Sequence, residues 1–361
     1  MAERIIVGMS GGVDSSVAAY LLQEQGYEVE CLFMKNWEEK DSGSRCSTEE
    51  DYQDALQVCQ QLKLRLHSVN FSKQYRENVF QYFLDEYHSG RTPNPDVLCN
   101  KEIKFKVFME YALSLGADKI ATGHYAKIEK VNHLHHLHKA FDNNKDQSYF
   151  LYLLGQKELS RTLFPLADMQ KSDVRKLAEK LNLKNHDKKD STGICFIGER
   201  NFRNFLQQYF PAQPGNIMTD SGQLTGRHEG LMYYTRGQRQ GIGVGGGFSE
   251  SEGPWYVVDK DLQNNTLIIS QGHANPLLYN HRLYANQLHW ITEEQPVNLP
   301  KQLMAKIRYR QEDQKVNFET LKDGVATLVF NDSQYAPAPG QSVVFYSGTE
   351  CLGGAIIVSY E

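Results

Sequence analysis

Long apolar runs are missing from this sequence. None of its 361 residues lies in a stretch approaching the roughly 20 apolar positions that a membrane-crossing helix needs, so helical membrane proteins are excluded and no membrane partner is expected. A charged leader followed by an apolar core and a small-residue cleavage site is missing too. The chain passes straight into an apolar strand pattern at 5–9, which predicts a cytoplasmic protein without a signal or transit peptide. Cysteine is scarce. Six are present, no four ligands stand at finger-like spacing, and reduced thiols rather than a disulfide framework or a structural zinc follow. No metal-ligating residues are expected. A basic excess is also lacking: 39 Lys and Arg against 44 Asp and Glu give a net charge of −5, which argues mildly against a nucleic-acid binder. Local clusters soften that point. Lys301, Lys306, Arg308 and Arg310 stand in ten residues without an acid, and 184–203 holds five basic residues against three acidic ones.

What is there is concentrated at the start. The apolar run at 5–9 breaks into Ser10, Gly11, Gly12, Val13, Asp14, Ser15 and Ser16, and a helical pattern with Val17, Ala18, Leu21 and Leu22 on one face follows at once. A strand that opens through glycines and hydroxyls into a helix N-terminus is an anion site. The glycines let the backbone approach a phosphate, and the free N–H groups and helix dipole point at it. The Walker spacing, with Gly-Lys-Ser/Thr after a four-residue gap, is absent. The Ser-Gly-Gly-x-Asp-Ser order resembles instead the pyrophosphate-binding PP-loop of ATP pyrophosphatases. That resemblance implies cleavage of ATP between the α- and β-phosphates to adenylate a substrate.

The first half alternates strand and helix patterns, with strands at 5–9, 29–34, 64–70 and 119–122. Helices are predicted from Ser47, with Glu50 completing a capping box, over 72–88, and over 100–115 with a stop at Gly116. This order predicts an α/β fold, a parallel sheet with helices on both faces and ligands beyond the carboxyl ends of its strands. A hairpin with His133, His135, His136 and His138 is read over 129–140 as an exposed ribbon. The stretch 157–210 reads as helices with loops. Pro211 to Gly215 then marks a boundary, and short glycine- and proline-punctuated strands follow at 255–259, 266–270, 327–330, 342–346 and 355–359. Three units are expected: a catalytic domain over 1–210, a small β-rich domain over 211–275, and a C-terminal β-barrel over 276–361. The glycines of 241–247 lack a βαβ frame and read as a turn or flexible loop.

Two cysteines stand apart. Cys99 follows Thr92-Pro-Asn-Pro-Asp96, whose prolines are expected to hold the chain out of helix until about Leu98. Cys99 would then open a helix, where the dipole, Lys101 and Lys104 favour a thiolate, with Asp96 at hand as an acid or base. Cys195 lies between Gly193 and Gly198 with basic residues on both sides. On these grounds alone each is as consistent with a core cysteine as with a reactive one. Cys31, Cys59 and Cys351 sit in apolar patterns and read as core, and Cys46 as an exposed bystander.

Taken together, several segments resemble the bacterial tRNA-specific 2-thiouridylases along essentially the whole chain. They are Gly8 to Ser15, Phe33 to Trp37, Thr92 to Asp96 with Leu98 to Lys101, Ala121 to Tyr125, Lys145 to Leu151, Asp190 to Gly198, Gly237 to Arg239, Pro254 to Lys260, Arg308 to Gln311 and Pro339 to Ser342. The resemblance implies replacement of the 2-oxygen of the wobble uridine by sulfur. It implies ATP contacts at Gly8, Met9, Ser10, Gly11, Gly12, Val13, Asp14, Ser15, Met34 and Gly123, with Mg2+ accompanying the pyrophosphate. It makes Cys195 the persulfide carrier, Cys99 the catalytic thiol and Asp96 the acid/base. Asn94, Pro95 and Asp96 match the segment that meets the target base, and His124, Lys145, Asp146, Gln147, Arg308, Tyr309 and Gln341 match tRNA-contacting positions. The implied partners are tRNA, through its anticodon loop, and a cysteine desulfurase or sulfur-relay protein acting on a monomer. Whether Cys99 attacks the uridine or frees sulfide from Cys195 stays open here. Two other readings are a PP-loop synthetase or amidotransferase adenylating a small molecule, which has no use for two thiols, and a non-enzymatic RNA-binding protein, which has no use for a phosphate loop.

Overall fold

The computed structural model describes residues 2–38, 47–190, 202–245, 253–292 and 301–361. Cys46, Cys195, Gly246 and Gly247 lie outside them.

Apolar residues run unbroken over 5–7 and 31–34 because both faces of the sheet are covered there. Strands β1 (Arg4–Gly8), β2 (Glu28–Lys35), β3 (Arg65–Asn70), β4 (Lys119–Ala121) and β7 (Thr162–Leu163) form a parallel sheet in the order β3-β2-β1-β4-β7. Alternate side chains sort to opposite faces. Ile5, Val7, Cys31 and Ala121 join the core under α1 (Val13–Glu24), α2 (Ser47–Leu62) and α8 (Lys171–Lys180). Ile6, Leu32 and Ile120 join the other core, with Phe80, Phe83, Phe105 and Phe108. Those aromatics come from two long helices. One runs as α3 (Ser72–Tyr75), a π segment (Arg76–Phe80) and α4 (Gln81–His88). The other runs as α5 (Pro95–Leu98), a nine-residue π segment (Cys99–Val107) and α6 (Phe108–Ser114). The expected stop at Gly116 is present, with φ +90°. Strand β7, which follows the single turn of α7 (Gln156–Leu159), is two residues long and carries no periodicity, and the reading of 157–210 as helices and loops missed it.

Beyond the sheet, the short α9 (Phe202–Gln207) leads into β8 (Gly215–Thr219), β9 (Leu224–His228), β10 (Trp255–Asp261) and β11 (Thr266–Gln271), which form a small sheet in the order β10-β11-β8-β9. The C-terminal strands β12 (Tyr279–Trp290), β13 (Lys301–Lys306), β14 (Gln314–Lys322), β15 (Val325–Tyr335), β16 (Ser342–Ser347) and β17 (Glu350–Tyr360) close a six-stranded barrel through a β12–β17 pairing. Phe318, Phe330, Phe345 and Ile357 fill it.

The histidine hairpin, β5 (Ala126–Val131) and β6 (Leu134–Lys139), is not a free ribbon. Its second strand continues the barrel sheet, with Leu137 paired to Cys351 and His138 to Glu350. Nδ1 of His136 lies 2.6 Å from the Glu350 carboxylate, and Leu137 is fully buried. An edge strand invites a partner, and here the barrel supplies it. Among the described residues no group of three or more His, Cys, Asp or Glu is placed to hold a metal ion, and no helix is long and apolar enough to cross a membrane. Cys31, Cys59 and Cys351 are buried, as their apolar surroundings predict.

Candidate active site

The phosphate loop is built mostly from its own residues. β1 ends at Gly8, and Gly12 caps α1 with φ −87° and ψ 162°. Gly11 has φ +77°, and a Cβ there would lie 2.2 Å from the carbonyl oxygen of Asp51, so only glycine fits. A Cβ on Gly12 meets nothing closer than Ser10 Oγ at 3.4 Å, which leaves the space in front of the helix open for an anion. The hydroxyls of Ser15 and Ser16 both donate to the Gly12 carbonyl, at 3.0 and 2.9 Å, and the Ser10 amide donates to Ser15 Oγ. Asn185 closes the loop from below, donating to Gly11 O and Ser16 Oγ at 2.9 Å each. Two further strand ends meet this loop, as a parallel sheet predicts. A Cβ on Gly8 would lie 3.5 Å from Met34 Cε, and one on Gly123 only 2.7 Å from the backbone of Asp14 and Ser15.

Asp14, in the first turn of α1, does not face solvent alone. Lys171 reaches both of its oxygens, at 2.7 and 2.8 Å, and the Tyr125 hydroxyl donates to it at 2.8 Å. Lys171 also lies 2.8 Å from Asp190, which Lys145 and Arg175 each approach at 2.7 Å. Partial burial works to raise the Asp190 carboxyl, but the bonds from Lys145 and Lys171 outweigh it and bring its pKa down to about 2. Asp190 is the last described residue before the segment that carries Cys195.

The second half of the site is the helix that holds Asp96 and Cys99. The expected helix start near Leu98 is wrong. Pro95 is the first helical residue, because its fixed φ suits the first turn and its missing N–H would be unsatisfied there anyway. Cys99 therefore sits one turn inside a continuous helix rather than at its N-terminus. It is 2% exposed, packed among apolar side chains. The terminal-dipole argument applies instead to Asp96, in the first turn. Burial raises the Asp96 carboxyl above the ordinary range, and the Lys104 charge opposes this in part. Lys104 Nζ lies 3.5 Å from His124 Nε2, while His124 Nδ1 lies 2.8 Å from the Thr122 hydroxyl. Burial first, and Lys104 second, push the His124 pKa well down, so this imidazole is neutral. Contacts thus run from the phosphate loop through Gly123 and His124 to Lys104 on the Cys99 helix.

The remaining site candidates are placed unevenly. Lys145 is in the Asp190 cluster. Asp146 is buried and folded onto its own turn, accepting from the amides of Ala140 and Ser148 and from the Ser148 hydroxyl. Gln147 is bonded twice to the backbone of Tyr125. Tyr309 packs on Phe150, with centroids 4.5 Å apart. Arg308 donates to Ala336 O at 2.8 Å and lies over the Tyr335 ring. Lys306 turns inward toward Asp313 at 3.6 Å, so the basic run presents Lys301, Arg308 and Arg310 outward. The Gln341 amide donates to the carbonyls of Thr92 and Pro93, at 2.7 and 3.3 Å. Sequence reasoning missed Lys171 and Asn185. Each stands far from the loop it serves, and no local pattern marks it. Lys104 stands out in the sequence only as a neighbour of Cys99.

Three families match this chain end to end. Residues 3–199 match the tRNA methyl transferase HUP domain, 203–271 the tRNA methyl transferase PRC-barrel domain, and 280–357 the aminomethyltransferase beta-barrel domain. The tRNA-specific 2-thiouridylase MnmA of Pseudomonas putida (strain GB-1) is 55% identical over 360 residues, covering 99% of this chain and 95% of that protein. That of Yersinia pestis (strain Pestoides F) is 56% identical over 356 residues, covering 98% and 96%. A solved 4-thiouridine synthetase–RNA complex with bound ATP is a far weaker likeness, with TM-score 0.37 and 18% identity over 57% of this chain and 49% of that one. More than half the residues are shared over nearly the full length, and the phosphate loop and the Asp96–Cys99 helix stand side by side in the fold. The chain belongs to the family of tRNA-specific 2-thiouridylases.

Proposed function

We propose that this protein replaces the 2-oxygen of the wobble uridine of tRNA with sulfur, using ATP. The observation that carries this reading is the meeting of an open phosphate loop with a half-buried acid and a buried thiol on one helix. A uridine C2 carbonyl is a poor electrophile and its oxygen a poor leaving group. Attack of that oxygen on the α-phosphorus of ATP forms an O–P bond and expels pyrophosphate. Sulfur then adds to C2, and AMP departs with the oxygen. The backbone N–H groups at the start of α1 suit the departing pyrophosphate, and Gly12 leaves room for it. Met34 and Gly123 close the nucleotide side.

Asp96, held protonated more readily by its burial, serves as the acid/base at the target base beside Asn94 and Pro95. Cys195 carries the persulfide. Cys99 acts by one of two balanced routes. In one, it takes the outer sulfur and adds it to C2, and the freed Cys195 thiolate then attacks the Cys99 sulfur, breaking the S–S bond to release 2-thiouridine and forming a Cys99–Cys195 disulfide. In the other, it attacks the inner sulfur of the Cys195 persulfide, forming the same disulfide and releasing hydrosulfide that adds to C2. In both routes an external thiol reductant reopens the disulfide. A cysteine desulfurase or sulfur-relay protein supplies that sulfur. Neither Asp14, already bonded to Lys171 and Tyr125, nor any cluster among the described residues forms a resident magnesium site. Mg2+ would enter with the phosphates of ATP, and no step here is assigned to it. The units 1–210, 211–275 and 276–361 act as catalytic, linking and tRNA-holding parts of a cytoplasmic monomer, with Lys145, Arg308 and Tyr309 toward the anticodon arm. The test is mass spectrometry of tRNA nucleosides after incubation with ATP, Mg2+ and a sulfur donor. The reading requires 2-thiouridine at the wobble position, and it fails if the uridine is unchanged or if ATP is consumed equally well without tRNA.

A further inference from the structure

The loop between α4 and α5 has almost no support of its own. Gly90 and Arg91 cap α4 with bonds back to Tyr87 and Glu86, but from there to Pro95 the chain holds two prolines and no secondary structure. Its polar groups find partners far away in sequence. The Thr92 amide donates to Pro339 O at 2.8 Å, and the Thr92 and Pro93 carbonyls accept from Gln341 Nε2. Thr92 Oγ1 lies 3.1 Å from Thr235 Oγ1, and Lys260 Nζ donates to Gly90 O at 3.0 Å. The barrel turn approaches so closely that a Cβ on Gly340, which has φ +92°, would lie 2.9 to 3.0 Å from Thr92 backbone atoms.

That turn is itself rigid. Gly340 donates to Ile357 O, Gln341 O accepts from Ile357 N, and Gln341 N donates to Ala338 O. Apolar packing between α5 and the barrel is incomplete: Val97 is buried, but a cavity of about 280 Å³ lies between them, lined by Asn94, Val97, Leu98, Lys101, His289 and Gly340. From Thr92 the chain reaches Pro95 in three residues and continues as one helix through Asp96 and Cys99.

We infer that Gln341 is a positioning residue, whose amide, through Thr92 and Pro93, sets where the barrel holds Asp96 and Cys99. This rests on the roles proposed above for those two residues. It differs from the expectation that Gln341 contacts tRNA. A positioning group displaced by about 1 Å can cost about 100-fold in rate while leaving substrate affinity alone. A tRNA contact does the reverse.

The experiment uses the full-length protein with Gln341→Ala and Gln341→Glu, the second keeping the size of the side chain but presenting no donor to the two carbonyls. Three quantities are read: the tRNA Kd by filter binding, the single-turnover rate of 2-thiouridine formation at saturating tRNA, and amide hydrogen exchange of peptides spanning 90–99 without tRNA. The inference requires a rate at least tenfold lower with Kd within twofold of wild type, and faster exchange confined to that segment. A normal rate at saturating tRNA, or unchanged exchange over 90–99 in both variants, overturns it. The exchange readout needs only folded protein, so it decides the matter even if a variant is inactive. Failure of the functional reading shows separately, as absence of 2-thiouridine from the wild type.

Discussion

The phosphate loop and the Thr92–Asn94 loop are both short turns that feed a helix to which the proposed function assigns chemistry, yet they are held in opposite ways. The phosphate loop closes largely on itself. Gly11, Gly12, Ser15 and Ser16 shape it within six residues, and Asp51, Asn185 and Lys171 only complete it. The Thr92 loop depends on Thr235, Lys260, Pro339 and Gln341, which come from 143 to 249 positions away for the bonds to Thr92 and 170 for the bond to Gly90. A locally closed loop keeps its shape wherever its sheet folds. A remotely held loop has its working shape only when all parts of the chain are assembled, so whatever docks on the barrel can bear on the acid and the thiol.

The largest expected effect removes what the remotely held loop delivers. Cys99→Ser should abolish 2-thiouridine formation in nucleoside mass spectrometry, while tRNA binding stays within about twofold because the buried side chain keeps its size. Substantial thiolation by this variant would remove the thiol from the mechanism and with it the functional sense of the comparison.

Next comes a contrast inside the locally held loop. Gly12→Ala fits the free protein, so its Tm should be unchanged while tRNA-dependent pyrophosphate release falls by about 100-fold, since the new methyl stands where the anion approaches. Gly11→Ala should lose release and also lower the Tm, because a left-handed residue with a Cβ costs about 1–2 kcal/mol before the clash with Asp51 is counted. Equal Tm losses in both variants would mean that the two glycines are simply structural.

How much of this was legible follows the same division. The phosphate loop could be read with its residues because glycine, hydroxyl and strand–helix order encode its geometry locally. The parallel sheet was legible because apolar runs on doubly covered strands are continuous, and the barrel was legible as a class because its strands are short and punctuated. The helix start at Pro95 was not legible, because a proline ends one helix and begins another equally well and local sequence does not say which. The hairpin reads as exposed because alternation is the same whether an edge faces water or meets a barrel strand. Lys171, Asn185 and the bonds of Gln341 have no local signature at all.

Smaller effects sharpen the picture at the edges of the site. Replacing Arg308 and Arg310 by Ala should weaken tRNA binding by about tenfold and flatten its dependence on salt, by about one unit of slope for each phosphate left unneutralised. Filter binding across a salt series measures this, and an unchanged slope would place the tRNA off this part of the barrel. Lys306 should be left out of that test, since its side chain turns inward beside Asp313, a carboxylate it shares with Lys139.

The smallest effect is electrostatic. The Asp190 carboxyl titrates near 2, below its ordinary value, so its ion pairs stabilise the fold above about pH 4, and that contribution is lost as pH falls through about 2. Because the group is about a third exposed, Asp190→Asn should cost no more than about 1 kcal/mol at neutral pH. Denaturant melts from pH 7 to pH 2 should show the wild type losing its advantage over the variant in that acid range. An advantage that grew toward low pH would reverse the assigned sign.

The most direct measurement of the central claim counts products. Protein, tRNA, ATP, Mg2+ and a persulfide-charged sulfur donor are mixed, and pyrophosphate and 2-thiouridine are followed together. If the locally closed loop activates the uridine that the remotely held helix then thiolates, one pyrophosphate appears per 2-thiouridine and almost none appears without tRNA. Pyrophosphate released at the same rate without tRNA, or 2-thiouridine formed without ATP cleavage, would contradict it.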